Sequence, residues 1–320
     1  MDGFEPSGLI RFFIQVGMGV AGAASLWGMV LAFKKEKELS GLLMWPFLAG
    51  FALFILNWFL AVTIFFPAKV FGHEGIIIKP SDQFIVQGLE VGAVFIFAFI
   101  FLVFLSSFLY FKRRGVFQKY ATTLFFLNFI VISLIAVFGV FNGQWDRVQV
   151  FFSLRGWHSI LTLGTVIMVD FLYTVSWRHS ELKRVVYPLL FYMSLAIWVG
   201  LGIDFVSVFL ILEEAMEINT QFIFNQMLIG IIIINGAFLS GPVNDKLIGL
   251  VKSGKELAPS LNNLFALLGS ISIVSWASIT FLDFFEFDFS YFVFAAIYVL
   301  LIAFVFLLGL TRLRSEAQSY

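Results

Sequence analysis

Residues 147–177 read RVQVFFSLRGWHSILTLGTVIMVDFLYTVSW. The run is longer than the ~20 mostly apolar residues a helix needs to cross a bilayer. It nevertheless carries Arg155, His158 and Asp170. Ionisable side chains inside a lipid span are costly, so they turn towards protein or a polar cavity and mark function by default. The fold and the search for a site both start from this helix.

Eight further apolar runs flank it, at 9–33, 42–66, 85–111, 120–141, 185–212, 222–240, 259–282 and 289–310, and the one around His158 spans 150–177. The composition agrees: of 320 residues 61% are hydrophobic and 12% charged, with 44 Phe, and mean hydropathy is +0.99. A soluble domain carries roughly 25% charged residues. Alternation in ten-residue segments, the mark of a membrane β-barrel, is missing. The sequence therefore predicts an all-α integral membrane protein with nine transmembrane helices.

Net charge is zero, which gives no reason to expect a nucleic-acid partner. The chain has no cysteine, which excludes disulfides, thiolate metal sites, iron–sulfur clusters and covalent haem attachment. The acidic start, MDGFEPSG, lacks the basic region of a secretory signal. The first run is read as a retained span.

The charges set the expected orientation. Fifteen of the 20 Lys and Arg fall after odd-numbered runs: Lys34, Lys35, Lys37, Lys112, Arg113, Arg114, Lys119, Arg178, Lys183, Arg184, Lys246, Lys252, Lys255, Arg312 and Arg314. Cytoplasmic loops of bacterial inner-membrane proteins collect such residues. The N-terminus is expected outside and the C-terminus in the cytoplasm of a multi-pass inner-membrane protein.

The two halves share features at a spacing of about 143 residues. Glu38-Leu39 recurs as Glu181-Leu182, Trp45-Pro46 as Tyr187-Pro188, and Arg11 as Arg155. Four spans per copy keep both copies in one orientation, which makes a parallel repeat. The expected organisation is a first four-helix repeat at 1–145, a second at 146–283, and a ninth helix with its tail at 284–320. Pro46, Pro188 and Pro259 are read near helix starts, and Pro67 and Pro242 after helix ends. Gly17, Ala21, Ala24 or Ser25, and Gly28 form a small-residue face on the first helix, where another backbone can approach closely.

At 1.5 Å per residue, Arg155, His158, Glu90, Asp204, Asn225, Gln226 and Gln15 gather in the outer half of the bilayer, with Asp170 towards the cytoplasm. Arg155 and His158 are three residues apart and share a helix face. An outward-facing polar cavity is expected, with His158 inside the bundle, Arg155 nearer the surface, and Glu90 or Asp204 in the same cluster. The competing reading is structural, because Asn, Gln and His also bond helices together and Arg can snorkel to the interface.

Three chemistries fit such a cavity. Copper(I) is selected by imidazole and thioether ligands, here His158 with Met18, Met227 and Met216. A b-type haem needs an axial His, which His158 can supply. Ion-coupled transport needs buried carboxylates, for which Glu90, Asp204 and Asp170 are candidates.

The helix opening RGWHS, with Gly164 further on, is followed two helices later by NQMLIGIIIINGAFLSGPVNDKL. Over 150–282 this resembles the copper-resistance-D type of four-helix membrane module and related bacterial membrane proteins. These carry a His at the outer start of one helix and an Asn late in another, here Asn235, before a Pro and a basic loop. Gly236 stands where a basic residue is usual. The resemblance implies copper uptake or tolerance across the inner membrane, or a related haem role. No phosphate-cradling Gly loop, HExxH or nucleophile elbow occurs, so an enzyme is not expected. Partners other than the lipid bilayer would be a second copy of the chain or the subunits of a membrane complex, in which this chain is accessory.

Overall fold

The computed structural model describes residues 6–71, 80–140, 147–178, 183–212, 220–253, 259–282, 287 and 289–317. Their regular structure is helical: α1 (Pro6–Phe33), α2 (Lys37–Leu42), α3 (Met44–Phe71), α4 (Pro80–Lys112), α5 (Arg114–Val140), α6 (Arg147–Arg178), α7 (Lys183–Leu212), α8 (Thr220–Phe238), α9 (Asn244–Ser253), α10 (Pro259–Leu282) and α11 (Tyr291–Ala317). Among the described residues, eight helices are long and apolar enough to cross a membrane. The remaining run, 150–177, corresponds to α6, a continuous helix of 32 residues whose described apolar stretch is Trp157–Tyr173.

The helices outrun the apolar segments at several ends, because hydrogen-bonding continues beyond the bilayer thickness. α3 passes through Pro67, and α8 runs into a π-helical turn, Leu239–Val243, that contains Pro242 and leads directly into α9. Both prolines had been expected after helix ends. Proline lacks an N–H and clashes with the preceding turn, and at Pro242 the chain accommodates this by widening to π geometry.

The chain forms two compact units, Met1–Met168 and Val169–Tyr320, divided within α6. This is a division by packing, and its boundary differs from that of the expected repeat at 145/146.

In the first unit α1 packs against α3, α5 and the first part of α6. Lipid tails are as apolar as Leu, so helices associate in a bilayer by close packing rather than by the hydrophobic effect. Small residues on α1 allow this. A Cβ at Gly17 would lie 2.5 Å from the Phe54 amide nitrogen, and one at Gly50 would lie 2.6 Å from that of Ala21. The pairs Gly17–Phe54 and Ala21–Gly50 run in opposite senses, so α1 and α3 are antiparallel. A Cβ at Gly164 would strike the Gly19 carbonyl, and one at Gly19 would strike that of Ile160. The pairs Gly19–Ile160 and Ala23–Gly164 run in the same sense, so α1 and α6 are parallel. Gly28 lies under the Phe125 ring of α5. The small-residue face read on α1 thus packs helices together, and Gly19 and Gly22 extend it.

α1 ends on paired backbone bonds, Lys35 N–H to the Ala32 carbonyl at 3.0 Å and Glu36 N–H to the Leu31 carbonyl at 2.9 Å. These make a Schellman cap. Lys35 occupies the left-handed position, at φ 64, where glycine is usual and a Cβ costs about 1 kcal/mol. α2 follows, burying Leu39, Ser40 and Gly41, with Tyr110 of α4 3.5 Å from a Cβ at Gly41.

In the second unit the end of α6 meets α7 and α10 through aromatic stacking. Tyr173 lies 3.8 Å from Phe265 and 6.3 Å from Tyr187 between ring centroids. Phe224 of α8 stacks on Phe294 of α11 at 5.1 Å. The Ser275 and Tyr298 hydroxyls join α10 to α11 at 2.7 Å. Gln221 donates to the Leu282 carbonyl at 2.7 Å and accepts from the Phe287 N–H at 3.0 Å. That one side chain ties the start of α8 to the end of α10.

Candidate polar site on α6

His158 is half-buried in the first unit, one turn before Thr162. The Thr162 hydroxyl lies 2.9 Å from the His158 carbonyl oxygen and 3.3 Å from His158 Nε2. A hydroxyl has a single hydrogen. We assign it to the carbonyl, which is closer and accepts only. Nε2–H then donates into the hydroxyl oxygen, and Nδ1 of the neutral imidazole keeps its lone pair. Among the described residues Nδ1 is buried and has no hydrogen-bond partner. A buried polar atom in this state forgoes roughly 1–3 kcal/mol of solvation. An unbonded imidazole nitrogen is also what a metal or proton ligand requires.

The α1–α6 crossing at Gly19 and Ile160 lies next to His158 and Met18. Met18 is buried on α1, adjacent to Gly19, and His158 is two residues before Ile160. The two therefore sit within one turn of a backbone-to-backbone contact between parallel helices. The side chains of Arg155, Glu90 and Asp204 lie outside the described residues, as does Met216. Among the described residues no group of three or more His, Cys, Asp and Glu comes together. Asp170 is exposed, in the part of α6 that belongs to the second unit.

The remaining candidates lie on α8. Asn235 is buried, and its amide nitrogen donates to the Leu268 carbonyl at 2.8 Å and to Ser272 Oγ at 2.7 Å, both on α10. A carbonyl only accepts, which fixes the amide orientation and leaves Oδ1 buried with no partner. Asn225 Oδ1, also on α8, is in the same state. Met227 accepts the Tyr291 hydroxyl at 2.6 Å, which commits its thioether to α11.

Several polar links escaped the sequence reading. Trp27 Nε1 donates to Thr165 Oγ1 at 3.3 Å, joining α1 to α6 beside the glycine crossing. Asn128 of α5 donates to Ser106 of α4 at 3.1 Å. Trp198 of α7 donates to Ser240 in the π turn at 3.3 Å. Thr162 was not singled out either, although its spacing of four residues after His158 could have marked it. The others depend on helix register, which no local pattern encodes. The chain matches no protein-family model, no curated protein and no solved structure.

Proposed function

We propose that this is a nine-span inner-membrane protein, N-terminus outside, that handles a metal ion or small solute at an outward-facing polar site centred on His158. The observation that carries the reading is His158 Nδ1, buried and without a partner while Nε2 engages Thr162. A copper(I) ion at this nitrogen would draw on nearby soft ligands, of which Met18 is the neighbour in the same unit. Arg155 and Glu90, of the same unit, would complete the polar lining; Asp204, Asn235 and Asp170 fall in the second unit. The same imidazole would serve as an axial ligand were the bound group haem. The likeness of 150–282 to the copper-resistance-D type module supports copper ahead of haem, and the parallel repeat of 1–145 and 146–283 belongs to this reading.

A second reading is an accessory subunit of a membrane complex. It is favoured by the way Asn235, Asn128 and Trp27 spend their polar groups on neighbouring helices. Metal analysis and an absorption spectrum of the purified protein separate the two. Bound copper or a Soret band that disappears in His158→Ala supports the site. A colourless, metal-free protein that co-purifies with stoichiometric subunits supports the accessory role.

A further inference from the structure

The first unit gathers positive charge at one end. The α1–α2 connection holds Lys34, Lys35 and Lys37, and the α4–α5 turn with the start of α5 holds Lys112, Arg113, Arg114 and Lys119; all are exposed. Two contacts bring these segments to the same end. Tyr110 packs against Gly41, and the Phe111 ring meets the Trp45 ring edge-on at 5.8 Å. The acidic groups in these segments are Glu36 and Glu38, so seven cations face two carboxylates.

Orientation in the membrane needs basic residues on one side, but it does not need the other features present here. Aromatic side chains form an interfacial belt at this end: Trp45 and Tyr120 are exposed, and Lys119 Nζ sits 5.3 Å from the Tyr120 ring centroid. Below the belt, α4 presents Phe97, Phe101, Phe104, Phe108 and Phe111 as one exposed stripe. The alternating spacing of four and three keeps these rings on a single face along the helix. Finally, Lys35 holds the left-handed position of the α1 cap. Glycine takes that position without strain, yet the chain places a cation there.

We infer that this end of the first unit binds an anionic phospholipid, with the headgroup phosphate on the Lys34–Lys37 and Lys112–Lys119 cations and the acyl chains along the α4 phenylalanine stripe. Charge complementarity selects the headgroup, since clustered juxtamembrane Lys and Arg attract anionic lipid. The belt sets the depth, and the stripe supplies an apolar track that starts at the basic end. The inference uses only the first unit and does not depend on what His158 binds.

The test uses the full chain purified in detergent with equal phosphatidylglycerol and phosphatidylcholine. Lipid retained is read by native mass spectrometry, and the thermal midpoint is followed as each lipid is added. Wild type is expected to retain phosphatidylglycerol over phosphatidylcholine by roughly tenfold, as befits several cations at one surface. Lys112→Gln/Arg113→Gln/Arg114→Gln should bring the ratio near one. Lys35→Gly removes one cation while favouring the native backbone, and should lower the ratio several-fold without loss of folding. Arg184→Gln/Lys246→Gln, charges of the second unit, should leave it unchanged. Equal retention of both lipids by wild type would overturn the inference, as would an unchanged ratio in both first-unit variants. Inorganic phosphate or an acidic peptide raising the midpoint as much as phosphatidylglycerol would also overturn it, because the surface would then serve a soluble anion or protein.

Discussion

Replacing Gly50 by alanine asks whether backbone contact holds α1 against α3. A Cβ at Gly50 lies 2.6 Å from the Ala21 amide nitrogen, 2.8 Å from the Gly17 carbonyl oxygen and 3.1 Å from Val20 Cβ. The first two are backbone atoms, which no rotamer change can move. Ordinary contact begins at 3.4 Å, so relieving the 2.6 Å approach means parting the helices locally by about 0.8 Å. A gap of that size forfeits roughly a quarter to a half of the dispersion energy of each atom pair it opens. Overpacking of this kind costs roughly 1–3 kcal/mol. Alanine favours helix over glycine by about 1 kcal/mol, which offsets part of that cost. The expected net loss for Gly50→Ala is roughly 0–2 kcal/mol. Gly115→Ala is the control, because a Cβ at Gly115 meets nothing within 4 Å; it should be as stable as wild type or slightly more so. Helix loss during SDS titration from mixed micelles, followed by circular dichroism, gives both values. If Gly50→Ala is as stable as Gly115→Ala, α1 and α3 are not in backbone contact and the account of the first unit is wrong.

The remaining expectations concern the polar groups and the topology. His158→Ala should abolish copper(I) binding, measured by competition with a chromophoric chelator, while stability falls only by the roughly 0.5–1.5 kcal/mol of one hydrogen bond within α6; unchanged binding would remove His158 from the site. Asn235→Leu should cost about 1 kcal/mol, whereas Asn235→Asp should cost more, because a carboxylate in the same pose faces the Leu268 carbonyl without a donor. Equal stability of these two variants in the same SDS titration would show that the Asn235 bonds to α10 do not form. A C-terminal alkaline phosphatase fusion should be inactive and a green fluorescent protein fusion bright; the opposite pattern would invert the orientation.

The spans were legible because length and apolarity are strong signals that tolerate errors at the ends. The short helices were not. α2 lay in what read as a basic loop; its helical register is decided by Leu39 and Gly41 burying beside Tyr110, a contact some seventy residues away along the chain. α9 lay in the longest inner connection for a similar reason, with no bilayer-length run to announce it. The small-residue face of α1 was visible as spacing, but its partners were not. Which glycine meets which carbonyl depends on the rotation of each helix about its axis, and a helix in lipid can turn through many rotations at similar cost until a backbone contact selects one. The same limit governs the site. His158 was conspicuous as an ionisable group in a span, whereas Thr162, a hydroxyl one turn on, was not singled out. Met227 looked equally available, yet its sulfur is engaged by Tyr291, a pairing that only tertiary register decides.

The two most informative features of the first unit, the glycine crossing and the orphaned imidazole nitrogen, belong to one argument. Where Gly19 and Gly164 let α1 and α6 touch backbone to backbone, there is no room between the helices for lipid, and the Trp27–Thr165 bond fixes their relative height. His158 sits within a turn of that contact, which places its backbone. Thr162 then fixes the ring by holding Nε2. Asn235 spends both hydrogens of its amide nitrogen on α10 and still leaves Oδ1 buried without a partner among the described residues. An orphaned atom alone therefore does not mark a ligand site. What sets His158 apart is that its orphan is an imidazole nitrogen, a common metal ligand. The imidazole is held at one nitrogen by Thr162 and left unsatisfied at the other among the described residues, within a turn of a backbone-to-backbone contact. That arrangement costs stability, and it is the arrangement a preorganised ligand atom needs.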